Sequence, residues 1–171
     1  MVRLVHVLII LVSFLGNAQT TSSIDFVIRN LGINVDGHFN IFEINTEFNT
    51  DGNLVSIYGK IDVESIETGI DSRDEHLLKE DYFHQAKFEH IILQSTKIKK
   101  ETNSDYSISA NLTIKGRAKA ITIPVLVEIQ NNKKIISSSF EINRRDFDVG
   151  GSSFVMGKTV KIQVKHYLDL P

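Results

Sequence analysis

Polar and apolar residues alternate with a period of two along most of the chain after residue 20, which is typical of half-buried antiparallel strands. The segment 42–48 reads Phe-Glu-Ile-Asn-Thr-Glu-Phe, with the apolar residues and Thr46 on one face. The segment 88–98 is apolar on both faces. Comparable alternating runs cover 26–29, 55–63, 107–115, 121–129, 136–142 and 160–166. Together these segments predict an all-β domain of roughly eight strands.

Short groups of turn-forming residues, such as Asp51-Gly52-Asn53 and Asn131-Asn132, predict hairpins between the strands. Pro124 lacks a backbone donor and predicts an edge or a bulge in its strand. Only the segment 74–83 has a helical pattern. We therefore predict an eight-stranded antiparallel β-barrel with one short helical insertion, because closure removes exposed sheet edges. A β-sandwich is the alternative, since alternation alone does not distinguish the two folds.

Residues 1–18 have the features of a secretory signal peptide. Arg3 supplies the positive charge, residues 4–15 form a largely apolar core, and Gly16 and Ala18 are the small residues that a signal peptidase inspects. We expect cleavage before Gln19, which leaves 19–171 as one barrel domain in the periplasm or outside the cell. The apolar run is shorter than the roughly 20 residues that span a bilayer, so no stable membrane span is expected after cleavage.

Composition and charge exclude several classes of function. The net charge is −2, and cleavage removes the basic residue Arg3, which leaves −3. We therefore expect no basic surface for nucleic acid. Cysteine is absent, so stability must come from the core rather than from disulfides. No Gly-x-Ser-x-Gly elbow, phosphate-binding glycine loop or cysteine nucleophile is present. We therefore expect a protein that is not an enzyme, with no catalytic residues and no cofactor.

Several short motifs follow one another along the chain and carry a family resemblance. They are Gly37-His38-Phe39, Ser65-Ile66-Glu67-Thr68-Gly69, Arg73-Asp74-Glu75-His76-Leu77, Asp81-Tyr82-Phe83, Leu112-Thr113-Ile114-Lys115-Gly116 and Asn143-Arg144-Arg145-Asp146-Phe147. In this order they resemble the YceI family of lipocalin-like bacterial envelope proteins, which bind polyisoprenoid and related long-chain lipids in a β-barrel. The resemblance implies a lipocalin-like, lipid-binding barrel whose partner is an isoprenoid or another long-chain lipid.

The interior of such a barrel decides its function. A barrel of about eight strands is either just filled by its side chains or holds one small ligand. The small inward residues Gly59, Ala110 and Ser138 leave volume, whereas interdigitation with large aromatic residues would fill it. With the resemblance, we expect a hollow barrel that encloses a long apolar chain for transport, storage or stress protection. The alternative is a filled barrel that acts as an envelope protein-interaction or stress-response module without a lipid; a homodimer is left open.

The predicted cavity wall consists of inward-facing apolar residues of the strands. These are Phe26, Ile28, Phe42, Ile44, Phe48, Ile57, Ile61, Ala110, Leu112, Phe140, Ile142 and Val164. Such a wall selects a ligand by the length and shape of its apolar chain, because it offers no charge to a head group.

The charged insertion supplies the other candidate site residues, Arg73, Asp74 and His76, at the mouth of the barrel or in its scaffold. The planar guanidinium of Arg73 could bind a phosphate or carboxylate head group. We favour a scaffold role, in which Arg73 and Asp74 form a fixed ion pair or cap. Asp71 or Ser72 would be the helix N-cap, with Glu75 available to complete a capping box with Ser72.

Three histidines, His76, His84 and His90, lie close in sequence to Asp81 and Glu89. Their spacings match no recognised ligand signature such as His-Glu-x-x-His, so we predict no metal site.

Overall fold

The computed structural model describes residues 21–170, which form one antiparallel sheet of ten strands with a short helix inserted after the fifth. The strands are β1 Ser23–Asn30, β2 Ile33–Phe39, β3 Phe42–Phe48, β4 Leu54–Asp62, β5 Ile66–Glu67, β6 His90–Lys100, β7 Asp105–Ile114, β8 Arg117–Gln130, β9 Lys133–Asn143 and β10 Met156–Asp169. The helix α1 spans Asp71–Leu77, and 3₁₀ turns cover Val63–Ser65 and Arg144–Phe147. The all-β, antiparallel prediction is confirmed.

The strands follow the order β3-β4-β6-β7-β8-β9-β10-β1-β2-β5. The sheet curls, so that side chains of β2 and β3 line the same interior. Within the described residues no ladder joins β3 to β2 or β5, so the sheet is a curled half-barrel rather than the closed barrel that we predicted. At the corner between β2 and β3, the Asn40 amide donates to the Ser65 carbonyl at 3.1 Å and the Asp62 amide to the Ile41 carbonyl at 3.0 Å. These bonds continue the β2–β5 and β3–β4 pairings up to the corner. There the Ile41 amide donates to the Ser65 hydroxyl at 3.0 Å and joins the two ends of the sheet.

The structure has ten strands rather than eight because two strands carry no clear alternation. β5 has two residues, and β2 reads Ile-Asn-Val-Asp-Gly-His-Phe, in which polar residues and a glycine obscure the pattern. Gly37 is required by packing, since an added Cβ would overlap the Phe26 ring. The absence of a side chain at position 37 therefore leaves room for the Phe26 ring.

One predicted strand face is interrupted by a bulge. Alternation places Val55 on the same face as Ile57, but Val55 is exposed and Leu54 is buried instead. The register between β3 and β4 shifts here, because Glu47 pairs with Ser56 whereas Phe48 pairs with Leu54. The extra residue on β4 reverses the faces on one side of the bulge.

β8 and β9 are paired over only part of their length. Their ladder covers Leu126–Gln130 and ends towards Pro124, which has no N–H to donate. The Val127 amide donates to the Ser104 carbonyl, on the side of β7. The backbone nitrogens of successive residues point to opposite neighbours, so the nitrogen of Pro124 faces β9. The Ser138 hydroxyl donates to the Pro124 carbonyl at 2.6 Å. The prediction of an edge at Pro124 is therefore met inside the sheet, where β8 and β9 separate.

Two apolar clusters close the interior. One lies under α1 and the second 3₁₀ turn and contains Val63, Ile91, Ile114 and Phe147. The other lies where the hairpins β3–β4 and β6–β7 turn, and its members include Leu54, Ile57, Tyr106, Ile108, Ala110, Ile123, Val125 and Ile136. The space between these clusters is the candidate site.

Candidate functional site

A cavity of about 230 Å³ occupies the inside of the curled sheet. All ten strands contribute to its wall, as do α1 and the segment around the second 3₁₀ turn. Its surface is almost entirely apolar carbon. A cavity of this size is well above the roughly 15 Å³ that admits one water molecule, so the interior is hollow.

Nine of the twelve predicted wall residues line this cavity. They are Phe26, Ile28, Ile44, Ile57, Ile61, Leu112, Phe140, Ile142 and Val164. The other three, Phe42, Phe48 and Ala110, are not among its lining residues. Ala110 is buried in the cluster that lies where the hairpins β3–β4 and β6–β7 turn, and Phe48 packs against that cluster beneath the Lys134 ammonium. Phe42 packs against the cluster under α1. Their faces point inward, but their positions along the strands lie within packed regions.

The wall also contains residues that the sequence analysis did not select. Ile123, Val125, Val160 and Ile162 belong to faces that alternation had already predicted to be inward. Other wall residues come from irregular segments and from α1, including Leu77, Tyr82, Phe83, Arg144, Phe147 and Val149. Nothing in a period-two pattern marks these loop residues, because they reach the interior through the tertiary path of the chain.

Arg73 and Asp74 meet at Thr68 rather than at each other. Arg73 donates through Nε to the Thr68 hydroxyl at 2.7 Å and through Nη2 to the Thr68 carbonyl at 2.5 Å. The Asp74 carboxylate accepts from the Thr68 amide at 3.0 Å and from its hydroxyl. No direct salt bridge joins Arg73 and Asp74 in residues 21–170. The two side chains thus anchor α1 to the segment that follows β5, and Arg73 also lines the cavity.

The predicted capping box is wrong. The residue that caps α1 is Ile70, which is extended and offers no side-chain acceptor, while Ser72 lies inside the helix. His76 is exposed, packs edge-on against Tyr82 with ring centroids 4.9 Å apart, and lies 3.7 Å from Asp81. Asp74 and His76 do not line the cavity.

Arg144 is the one charged residue among the buried residues of the described chain, with 3% of its surface exposed. Its guanidinium donates to four backbone carbonyls: Val149 at 2.6 Å, Gly151 at 2.8 Å, Gly157 at 2.8 Å and Met156 at 3.2 Å. Burial lowers the pKa of Arg144, and the nearby charge of Arg145 lowers it further, yet an arginine stays protonated. Arg144 therefore joins β9 to the start of β10 and shapes this end of the cavity.

Within residues 21–170, three polar atoms of the wall are buried without a hydrogen-bond partner: Asn30 Oδ1, Thr46 Oγ1 and His166 Nε2. The other ring nitrogen of His166, Nδ1, lies 3.0 Å from the Ser22 hydroxyl. Burial lowers the pKa of His166. The imidazole is therefore held in its neutral form, which suits an apolar wall.

The stability of the fold is expected to fall as the pH drops below 6.5, the ordinary pKa of histidine, partly because of His166. Below this pH the unfolded chain binds a proton at position 166, whereas the folded chain does not until the pH reaches its lowered pKa. His166→Leu removes this contribution. Urea unfolding midpoints at pH 7.5 and pH 5.5 should therefore differ less for His166→Leu than for the parent protein. An equal difference in both proteins would contradict the assignment.

Among residues 21–170 no group of three His, Asp or Glu side chains is placed to hold a metal ion. None of the helices in this described part of the chain is long and apolar enough to cross a bilayer.

Known proteins resemble this chain in sequence and in fold. A family model for the YceI-like domain matches residues 17–167. A UPF0312 protein of Shewanella denitrificans is 35% identical over 107 residues, which are 60% of this chain and 54% of that protein. A UPF0312 protein of Yersinia pestis is 32% identical over 113 residues, covering 64% and 57% respectively. The matched region thus spans only a little over half the length of these curated relatives.

Solved structures share the fold. BcnA of Burkholderia cenocepacia superimposes with a TM-score of 0.80 at 22% identity, covering 86% of this chain and 96% of that one. The YCEI protein of Campylobacter jejuni gives 0.75 at 21% identity, with coverage of 81% and 86%. A domain of Saccharophagus degradans, described as polyisoprenoid binding and implicated in plant cell wall breakdown, gives 0.68 at 17% identity, with coverage of 88% and 94%. The family resemblance predicted from the motifs is confirmed: the chain belongs to the YceI-like domain family.

Proposed function

We propose that this protein binds a long-chain apolar ligand, a polyisoprenoid or a related lipid, by enclosing it in the cavity of the curled sheet. The observation that carries the proposal is the hollow interior, whose wall is apolar from β1 to β10. Binding is reversible enclosure without covalent chemistry. The description of the Saccharophagus degradans domain as polyisoprenoid binding supports this choice of ligand.

The energy of binding comes from the removal of methylene groups from water, at about 0.8 kcal/mol each. Polar contacts contribute little, because the surface of the wall is almost entirely apolar. The polar atoms Asn30 Oδ1, Thr46 Oγ1 and His166 Nε2 have almost no surface that a ligand could reach. Small-molecule sites typically have volumes of roughly 300–1,000 Å³. A cavity of about 230 Å³ therefore suits one apolar chain better than a lipid with several chains.

Export is part of the proposal. The features of residues 1–18, which lie outside the described residues, favour a cleaved signal peptide and a periplasmic or secreted location. There the protein would carry, store or protect a lipid between membranes. The cavity supports this proposal over the filled-barrel interaction module, which needs no hollow interior.

The test is native mass spectrometry of the protein purified from its own envelope fraction, followed by organic extraction of bound material. We expect a stoichiometric prenyl or acyl species. A mass equal to that of the chain alone, unchanged after incubation with polyprenol and fatty-acid mixtures, would overturn the proposal. The amino-terminal residue found in the same spectrum tests cleavage before Gln19.

A further inference from the structure

Four apolar side chains lie exposed together at one tip of the molecule. Leu31 and Ile33, in and after the β1–β2 turn, are 71% and 70% exposed, and Phe154 and Val155, before β10, are also exposed. The Leu31 amide donates to the Val155 carbonyl at 2.9 Å, so the two segments are joined. We call Leu31, Ile33, Phe154 and Val155 the apolar tip. A cluster of this kind on a soluble domain marks an interaction surface, whereas single exposed apolar residues do not.

The turn that carries the tip has an unfavourable residue at its first position. Leu31 has φ of +51° and Gly32 has φ of +79°, so both residues are left-handed. Such turns favour Asn, Asp or Gly at both positions, because a left-handed backbone brings a larger side chain too close to the carbonyl that follows. Neither burial nor turn geometry explains a leucine at this exposed position.

Positive charge surrounds the tip. Arg29 donates through Nη2 to the Gly32 carbonyl at 3.1 Å, and Arg145 donates through Nη2 to the Ser153 carbonyl at 3.1 Å. The two guanidiniums are therefore held beside the two segments of the tip. Lys158 is exposed next to Gly157, at which an added Cβ would lie 3.2 Å from the Arg29 carbonyl oxygen. Among residues 21–170 none of these three cations forms a salt bridge, although Asp146 follows Arg145 in the chain.

The tip adjoins one end of the cavity. Asn30 and Met156 pair across β1 and β10, and both line the cavity. Leu31 follows Asn30 directly, and Val155 precedes Met156. A surface in contact with the tip is therefore within a residue or two of the wall of the cavity.

We propose that the apolar tip inserts into the surface of a bilayer that contains anionic lipids, with Arg29, Arg145 and Lys158 against the head groups. Apolar and aromatic side chains that enter the interface, together with flanking cations, are the combination that holds a protein on such a surface. The proposal rests on the proposed function in one respect: the docked bilayer is the source or the destination of the enclosed lipid. Docking itself requires no ligand in the cavity.

The test is co-sedimentation of the purified protein, expressed as residues 19–171, with vesicles of phosphatidylcholine and phosphatidylglycerol. We expect binding that weakens with vesicles of phosphatidylcholine alone and as salt rises from about 0.1 M to about 1 M, because salt screens exposed charges. The double variant Leu31→Asn/Phe154→Ser should lose binding by roughly tenfold or more, since two apolar side chains no longer enter the interface. Asn suits a left-handed turn, so this variant should fold.

A matched control is Ile129→Ser. Ile129 is 69% exposed on β8, outside the apolar tip, so its loss removes one exposed apolar side chain without touching the tip. This control should bind vesicles as the parent does. Equal loss in both variants, or no binding by the parent, would overturn the proposal. Concentration-dependent self-association that the double variant abolishes would assign the tip to a second copy instead. If the protein binds vesicles but yields no extracted lipid, docking is supported and the proposed function fails.

Discussion

Replacing Arg144 with methionine is expected to lower the free energy of unfolding by about 3–5 kcal/mol, because it removes the donors of a buried network. The guanidinium bonds to the carbonyls of Val149, Gly151, Met156 and Gly157, and methionine can donate to none of them. Buried carbonyls that lose their donors keep the cost of desolvation. Urea unfolding followed by circular dichroism measures the change as a lower midpoint at an unchanged slope.

Arg145→Met is the matched control for this variant. Arg145 is adjacent and exposed, and its Nη2 bonds a single carbonyl, that of Ser153. Its loss should cost no more than about 1 kcal/mol. If Arg144→Met costs as little as the control, the four bonds do not hold the start of β10 as described.

Gly59→Ile is expected to weaken binding of cis-parinaric acid, a fluorescent long-chain fatty acid, by roughly tenfold or more, since it fills space that the apolar chain would occupy. Gly59 lines the cavity, and an added Cβ would meet only Cβ of Leu93, at an ordinary 3.8 Å. The side chain therefore has room to grow inward. Isoleucine also suits a strand better than glycine does, so the free energy of unfolding should rise by about 0.5–1 kcal/mol. Fluorescence titration and urea unfolding measure the two effects.

Val55→Ile controls for a larger side chain on the same strand. Val55 is exposed because of the bulge, so the added methyl group lies outside the cavity and binding should be unchanged. This prediction depends on the proposed function. A folded Gly59→Ile variant with the affinity of the parent would show that the fatty acid binds elsewhere.

Alternation was sufficient to predict most of the strands, since a half-buried strand must separate apolar from polar residues at every second position. Alternation failed in the two strands whose residues do not separate in this way. In β2, Gly37 gives way to the Phe26 ring, and at Val55 a bulge shifts the faces of β4. The half-barrel was not predictable either, because closure depends on whether β3 meets β2, and no local pattern records the spacing of two edges.

The cavity wall was predictable only in part for a related reason. Parity tells which face of a strand points inward, but not whether a residue stands beside empty space or within a packed cluster, as Ala110 does. Arg144 was visible in a family motif, yet its role as a donor to four carbonyls depends on the path of residues 149–157. The capping box was wrong because α1 begins at Asp71, two residues too early for Ser72 to cap it.

The missing N–H of Pro124 bears on how the protein could accept ligands of different girth. β8 and β9 are joined by backbone bonds over Leu126–Gln130, and beyond Pro124 no ladder resists their separation. At the far end of the split the Arg117–Asp148 salt bridge, at 3.1 Å between exposed side chains, is a weak tie. Moving these two strands apart would expand the interior without breaking a backbone ladder, at the cost of the bond from the Ser138 hydroxyl to the Pro124 carbonyl. The gap in the ladder beside Pro124 would therefore let the interior widen for a thicker ligand.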